Sequence, residues 1–135
     1  MMSEYLLDTD ICSYIMKRSH PALLERLRAV PIESMAISVV TEAELLFGIK
    51  LSSKPNLARA ALEGFLEHVQ VLDWTRTAAE HYADIRANLQ KRGERIGAND
   101  LMIAAHARSL NATIITNNIR EFRKVRHLYV DNWAF

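Results

Sequence analysis

A chain of 135 residues, half of them hydrophobic and 24% charged, is long enough for one domain with a buried core and too apolar to be disordered. The formal net charge of +1 argues neither for nor against a nucleic-acid partner, so only local clusters of charge can speak to that. The single cysteine, Cys12, excludes an intrachain disulfide, leaves a thiolate metal site short of ligands, and is expected to be a small buried hydrophobe.

Met1-Met2-Ser3-Glu4 carries no basic segment, and the apolar run after it is too short for a signal peptide. No stretch approaches membrane-spanning length, so the expected compartment is the cytoplasm, with no membrane partner. Tyr5-Leu6-Leu7 reads as a short buried strand ending at Asp8. Ile11 to Lys17 reads as a helix capped by Thr9 or Asp10, broken at His20-Pro21. Ala22 to Ala29 is amphipathic, with Leu23, Leu24 and Leu27 on one side, and stops at Pro31. Met35 to Val40 is a second strand and Thr41 to Leu51 a helix. After the Ser52–Asn56 loop, Leu57 to His68 is helical and Val69 to Trp74 a third strand. Thr77 to Lys91 forms a long helix with Ala79, Tyr82, Ala83 and Arg86 at helical spacing. Arg92 to Gly97 is a loop, Asn99 to Leu110 a helix capped by Asn99, and Ala112 to Thr116 a β-branched strand. Leu128-Tyr129-Val130 is a last short strand.

Strands that alternate with helices, each a short apolar run, imply an α/β fold: a short, mainly parallel sheet covered by helices on both faces. No repeat, low-complexity tract or linker interrupts the chain, so 1–135 is expected to be a single domain.

Four acids stand at the punctuation of this pattern: Asp8, Glu44, Asp100 and Glu121. In an α/β domain, strand ends and helix starts gather on one edge of the sheet, where ligands bind. Carboxylates drawn together there repel unless a divalent cation joins them. Each acid also has a plainer reading. Asp8 can serve as a turn residue or helix cap, although two acids around one helix start exceed what capping needs. Thr41-Glu42-Ala43-Glu44 fits a capping box, and Glu42 shares the face of Leu45, Leu46 and Ile49, so periodicity does not choose between the glutamates. Asp100 suits the first turn of its helix, yet it heads an apolar stripe of Ile103, Ala104 and Ala107, an expensive place for an unpartnered charge. Glu121 lies among Arg120, Arg123, Lys124 and Arg126 and can simply pair with them.

The five histidines show no close ligand spacing, and His106 is expected to be a packed or surface residue. An all-oxygen donor set points to Mg²⁺, or Mn²⁺, and away from Zn²⁺. Basic clusters lie just before Asp100 (Lys91, Arg92, Arg95) and around Glu121. A solvated face explains such runs; so does a phosphodiester substrate held beside an acidic metal centre.

Taken together, these segments resemble the PIN-domain ribonucleases, and within them the VapC toxins of bacterial toxin–antitoxin pairs. The resemblance spans essentially the whole chain. It is carried by Tyr5-Leu6-Leu7-Asp8-Thr9-Asp10, by the run from Ile37 to Gly48 containing Glu44, by Gly97-Ala98-Asn99-Asp100 with the helix behind it, and by Thr113 to Phe122. It selects Glu44 over Glu42. Two departures stand out: Asp10 replaces a customary Asn, and Asn117 or Asn118 stands where some members carry Asp. The Asn-Asn-x-Arg-Glu-Phe form and Asp131-Asn132-Trp133 look most like the branch that cuts initiator tRNA in its anticodon loop.

The resemblance implies a PIN-like three-layer α/β/α fold and a Mg²⁺-dependent endoribonuclease that uses metal-activated water. Asp8, Glu44, Asp100 and Glu121 would be the catalytic acids. Asp8 and Asp100 are the foremost ligands, Glu44 helps to take the proton, and Glu121 completes the site directly or through water. Arg92, Arg95, Asn117 and Arg120 would hold the RNA. The partners implied are a VapB-like cognate antitoxin and a second copy of the chain.

Asp8-Thr9-Asp10 also matches the nucleophile loop of haloacid-dehalogenase-type phosphatases, although Cys12 stands where Thr or Val is expected and the chain is short for that fold. A receiver-like phosphoacceptor lacks its lysine after the fourth strand. A catalytically dead binding module has no need to keep four mutually repelling acids.

Overall fold

A computed structural model describes residues 4–135; the reading of Met1, Met2 and Ser3 lies outside them. Strand β1 (Tyr5–Leu7) leads to helix α1 (Thr9–Lys17) and α2 (Pro21–Arg28). A 3-10 turn, Ile32–Ser34, precedes β2 (Met35–Ser38), followed by α3 (Val39–Leu51), α4 (Pro55–Leu66) and β3 (Gln70–Leu72). The second half is α5 (Arg76–Lys91), α6 (Ala98–Ser109), β4 (Thr113–Ile115), α7 (Ile119–Phe122) and β5 (Tyr129–Asp131).

The strands form one parallel sheet in the order β3-β2-β1-β4-β5. Tyr5 is in register with Met35 on one side and with Thr113 on the other. The chain therefore builds outward from β1 to β3, then returns to place β4 on the opposite side of β1. The crevice between the carboxyl ends of β1 and β4 is the switch point, where open α/β sheets place their ligands.

Alternation along the strands divides the core into the expected layers. Leu7, Met35, Ile37 and Ile115 face one side, against Ile11, Cys12, Leu23, Leu62 and Phe65 from α1, α2 and α4. Leu6, Ala36 and Ile114 face the other, against Ile85 and Leu89 of α5 and Ile103, Ala104 and Ala107 of α6. Cys12 is fully buried, and burial pushes its thiol pKa up, as befits an inert core residue. The buried stripe of α5 is Ala78, Ile85 and Leu89, while Ala79, Ala83 and Arg86 of the expected stripe face solvent.

Several boundaries differ from the sequence reading. The second strand stops at Ser38 because the Ser38 hydroxyl accepts from Val40 N (3.1 Å) and starts α3 two residues early, overriding the β preference of Val39 and Val40. Asp8, and neither Thr9 nor Asp10, caps α1. Helix α6 starts from Gly97 with no side-chain cap, so Asn99 does not cap it. The one-turn helix α7 has no counterpart in the sequence reading.

Candidate active site

Asp8 leaves the end of β1 with only 4% of its surface exposed. Its Oδ1 accepts from Ile11 N (3.0 Å), and its Oδ2 from the Thr116 hydroxyl at the end of β4 (2.5 Å). Burial pushes its pKa up to about 7; the two hydrogen bonds pull the other way, and the charges of Asp10 and Asp100 push it further up. Asp100, half-buried in the first turn of α6, is raised to about 6. Burial is again the largest cause, followed by the carboxylates of Glu44, Glu121 and Asp10. The switch point thus carries more negative charge than it can hold comfortably by itself.

Glu44 occupies the second turn of α3. Its Oε1 accepts from the Thr9 hydroxyl (2.5 Å) and its Oε2 from the Asn99 amide (3.1 Å). The capping-box reading of Thr41 and Glu44 fails. Ser38 is the cap, Thr41 lies inside the helix, and its hydroxyl is buried without a partner. Glu121, in α7, accepts from Gly97 N (3.0 Å) and lies 3.4 Å from Lys124 Nζ. It does pair with a neighbouring base, in line with its plainer reading, and it also raises Asp100.

The four acids therefore come to one edge from β1, α3, α6 and α7, with Asp10 as a fifth charge beside them. The donor set is all oxygen, the choice of a hard divalent ion. Among the described residues, no three Asp, Glu, His or Cys side chains stand close enough together to ligate one ion. Asp8 and Asp100, both held back from ionising by burial, have most to gain from such an ion.

The residues expected to hold RNA divide in two. The Arg92 guanidinium donates twice to the Lys124 carbonyl (3.0 Å each) and once to Asn88 (2.8 Å), and Lys124 Nζ donates to the Arg95 carbonyl (2.9 Å). Asn117 donates to the Tyr14 hydroxyl and accepts from Asn132 (3.2 Å each). Arg92 and Asn117 thus brace the loops around the site. The Arg95 and Arg120 side chains are exposed. His106 is buried, as a packed histidine; its Nδ1 is 2.8 Å from Ser38 Oγ, and burial lowers its pKa.

Sequence reasoning missed Thr9, Asn99 and Thr116 as parts of the site. For the first two the signal was adjacency: Thr9 comes directly after Asp8 and Asn99 directly before Asp100.

The PIN-domain family model matches residues 5–128 of this chain. The chain belongs to the PIN-domain family. Within it, the chain is similar over 133 residues, at 40% identity, to the ribonuclease VapC2 of Haemophilus influenzae, covering 98% of this chain and all of that protein. The same figures hold for the tRNA(fMet)-specific endonuclease VapC of Shigella flexneri. Among solved structures, it superposes on DNA-bound VapBC from Salmonella typhimurium with a TM-score of 0.92 at 36% identity, over 98% of this chain and 99% of that one. VapBC2 of Rickettsia felis, bound to a DNA fragment from their promoter, gives 0.90 at 34% identity over 96% and 98%. The phosphatase alternative has no support here. Asp8 is also ill suited to be a nucleophile, since it is buried, raised in pKa and hydrogen-bonded at both oxygens.

Proposed function

We propose that residues 1–135 form one metal-dependent endoribonuclease unit, the toxin of a toxin–antitoxin pair. The observation that carries the reading is the meeting of Asp8, Glu44, Asp100 and Glu121 around the β1/β4 crevice, with Asp8 and Asp100 both raised in pKa by burial and by neighbouring carboxylates. Mg²⁺ is the proposed ion, with Mn²⁺ able to replace it. Asp8 and Asp100 would hold it, and Glu121, steadied by Gly97 N and Lys124, would complete the site directly or through water. Such an ion supplies an acidified water and neutralises charge on the attacked phosphate. Glu44 accepts the proton of the water as its oxygen bonds to phosphorus. The bond to the 3′ oxygen breaks and that oxygen takes a proton from solvent water, leaving 5′-phosphate and 3′-hydroxyl ends without use of the 2′-hydroxyl. Arg95 and Arg120 hold flanking phosphates.

The substrate proposed is tRNA, with the initiator tRNA anticodon loop first among candidates, because relatives from Shigella flexneri and Salmonella typhimurium are called tRNA(fMet)-specific endonucleases. The partner proposed is a VapB-like antitoxin, because similar structures are of VapBC complexes; blocking of the acidic crevice and pairing of two copies of this chain are what the family resemblance implies. Among the described residues no helix is long and apolar enough to cross a membrane; the cytoplasm, where tRNA is, is the proposed place of action. The test is cleavage of total tRNA by antitoxin-free protein, with Mg²⁺ and with chelator, beside Asp8→Asn. A discrete product that needs Mg²⁺ and Asp8 supports the reading; cleavage that survives chelator or the mutation defeats it.

A further inference from the structure

Glu44 is held at both oxygens by donors from two other helices. The Thr9 hydroxyl, in the first turn of α1, donates to Oε1, and the Asn99 amide, in the first turn of α6, donates to Oε2. Each donor is the chain neighbour of an acid assigned to the ion: Thr9 of Asp8, Asn99 of Asp100. Both contacts are remote in sequence, 35 and 55 residues apart, so neither is an incident of helix geometry. They also act against a repulsion, because Glu44 and Asp100 carry like charge and interact.

We infer that Thr9 and Asn99 are positioning residues, which clamp Glu44 between the starts of α1 and α6 as an acceptor for water outside the ion's direct ligands. A carboxylate oxygen that accepts one hydrogen bond keeps another lone pair free. Held at both corners, Glu44 presents those free lone pairs in one fixed plane. The inference rests on the nuclease reading and adds to it two residues and a division of labour among the acids.

The test combines RNA cleavage with Mn²⁺ binding, followed by paramagnetic resonance, on folded Thr9→Val, Thr9→Ser, Asn99→Ala, Glu44→Gln and Asp100→Asn proteins. Asn99→Ala and Thr9→Val should each lower kcat by about 10–100-fold, the usual scale for a lost supporting contact, with KM for tRNA unchanged. Thr9→Ser, which keeps the hydroxyl, should restore the rate. Glu44→Gln should bind Mn²⁺ as the wild type does, whereas Asp100→Asn should lose at least about tenfold in affinity. The inference is overturned if Thr9→Val and Asn99→Ala keep wild-type kcat, or if Glu44→Gln loses Mn²⁺ affinity as Asp100→Asn does. Wild-type protein that cuts no RNA would sink the nuclease reading and this inference with it; wild-type and variants cutting alike would sink the inference alone.

Discussion

The Thr116 hydroxyl donates to Asp8 Oδ2 across the gap between the ends of β4 and β1, joining residues 108 positions apart at the point where the strand order reverses. The same hydroxyl oxygen accepts from Asn118 N (2.8 Å), so it also shapes the turn that leads to Glu121. Thr116→Val keeps the volume and removes both roles. A hydrogen bond to a charged, buried group contributes about 1.5–3 kcal/mol. We expect a loss of that order in urea unfolding at pH 8, where Asp8 is ionised. An unchanged midpoint would show that the contact carries no weight.

Asp8 and Asp100 make stability depend on pH in an unusual direction. Their folded pKa values, about 7 and about 6, lie above the ordinary 3.8. Between those limits the folded state binds more protons than the unfolded one, so the stability of metal-free protein falls as pH rises. The contribution is fully present below about pH 4 and is lost by about pH 7–8. For Asp8 alone the displacement corresponds to at most about 4 kcal/mol. In chelator, Tm should fall between pH 5.5 and pH 8; added Mg²⁺ should raise Tm more at pH 8 than at pH 5.5. A chelated protein whose Tm rises over that interval contradicts the burial of these acids.

Removing the charge should separate stability from activity. Asp8→Asn and Asp100→Asn should each cut RNA cleavage by at least about a hundredfold, the upper range for loss of even an outer contact at a metal site. Both should fold, and in chelator at pH 8 Asp8→Asn should melt at or above the wild-type temperature, because an ionised carboxylate no longer has to be buried. Wild-type turnover by either folded variant would refute the site assignment.

The arginines should divide by role. Arg92→Ala releases the Lys124 carbonyl and should destabilise the protein by about 1 kcal/mol. Arg95→Ala and Arg120→Ala, on exposed side chains, should leave stability within about 0.5 kcal/mol. Each should raise KM for tRNA and weaken its salt dependence by about one released counterion. An Arg95→Ala protein with unaltered KM at low salt would remove Arg95 from the RNA face.

Much of this is legible in the residues. The apolar runs around Leu6, Ile37 and Ile114 are recognisable as buried strands, and the acids at their ends mark the edge that matters. The errors share one cause. Thr41-x-x-Glu44 and Asn99 both satisfy local capping patterns, yet Glu44 and Asn99 are taken by each other, and such a long-range claim leaves no local trace. Glu42 shares the face of Leu45 and Ile49, which is the core-facing stripe of α3, whereas a working carboxylate has to face a cleft. Glu44 points away from that stripe and meets Thr9 and Asn99. The hold of a backbone carbonyl 32 residues away on the exposed Arg92 side chain is likewise invisible in the sequence, which shows its charge and not its partners.

The strand order also bears on the birth of the protein. Asp8 cannot meet its partner Thr116 until β4 has been made and inserted beside β1, and Thr116 N itself bonds to Asp131 O (3.0 Å) in β5. Such long-range parallel pairing forms slowly, and chains emerge from the ribosome N-terminal end first. A nascent chain that has exposed Asp8, Glu44 and even Asp100 therefore holds scattered carboxylates and no cutting centre. On the proposed nuclease reading, activity can begin only when β4, α7 and β5 have left the exit tunnel and Thr116 has met Asp8.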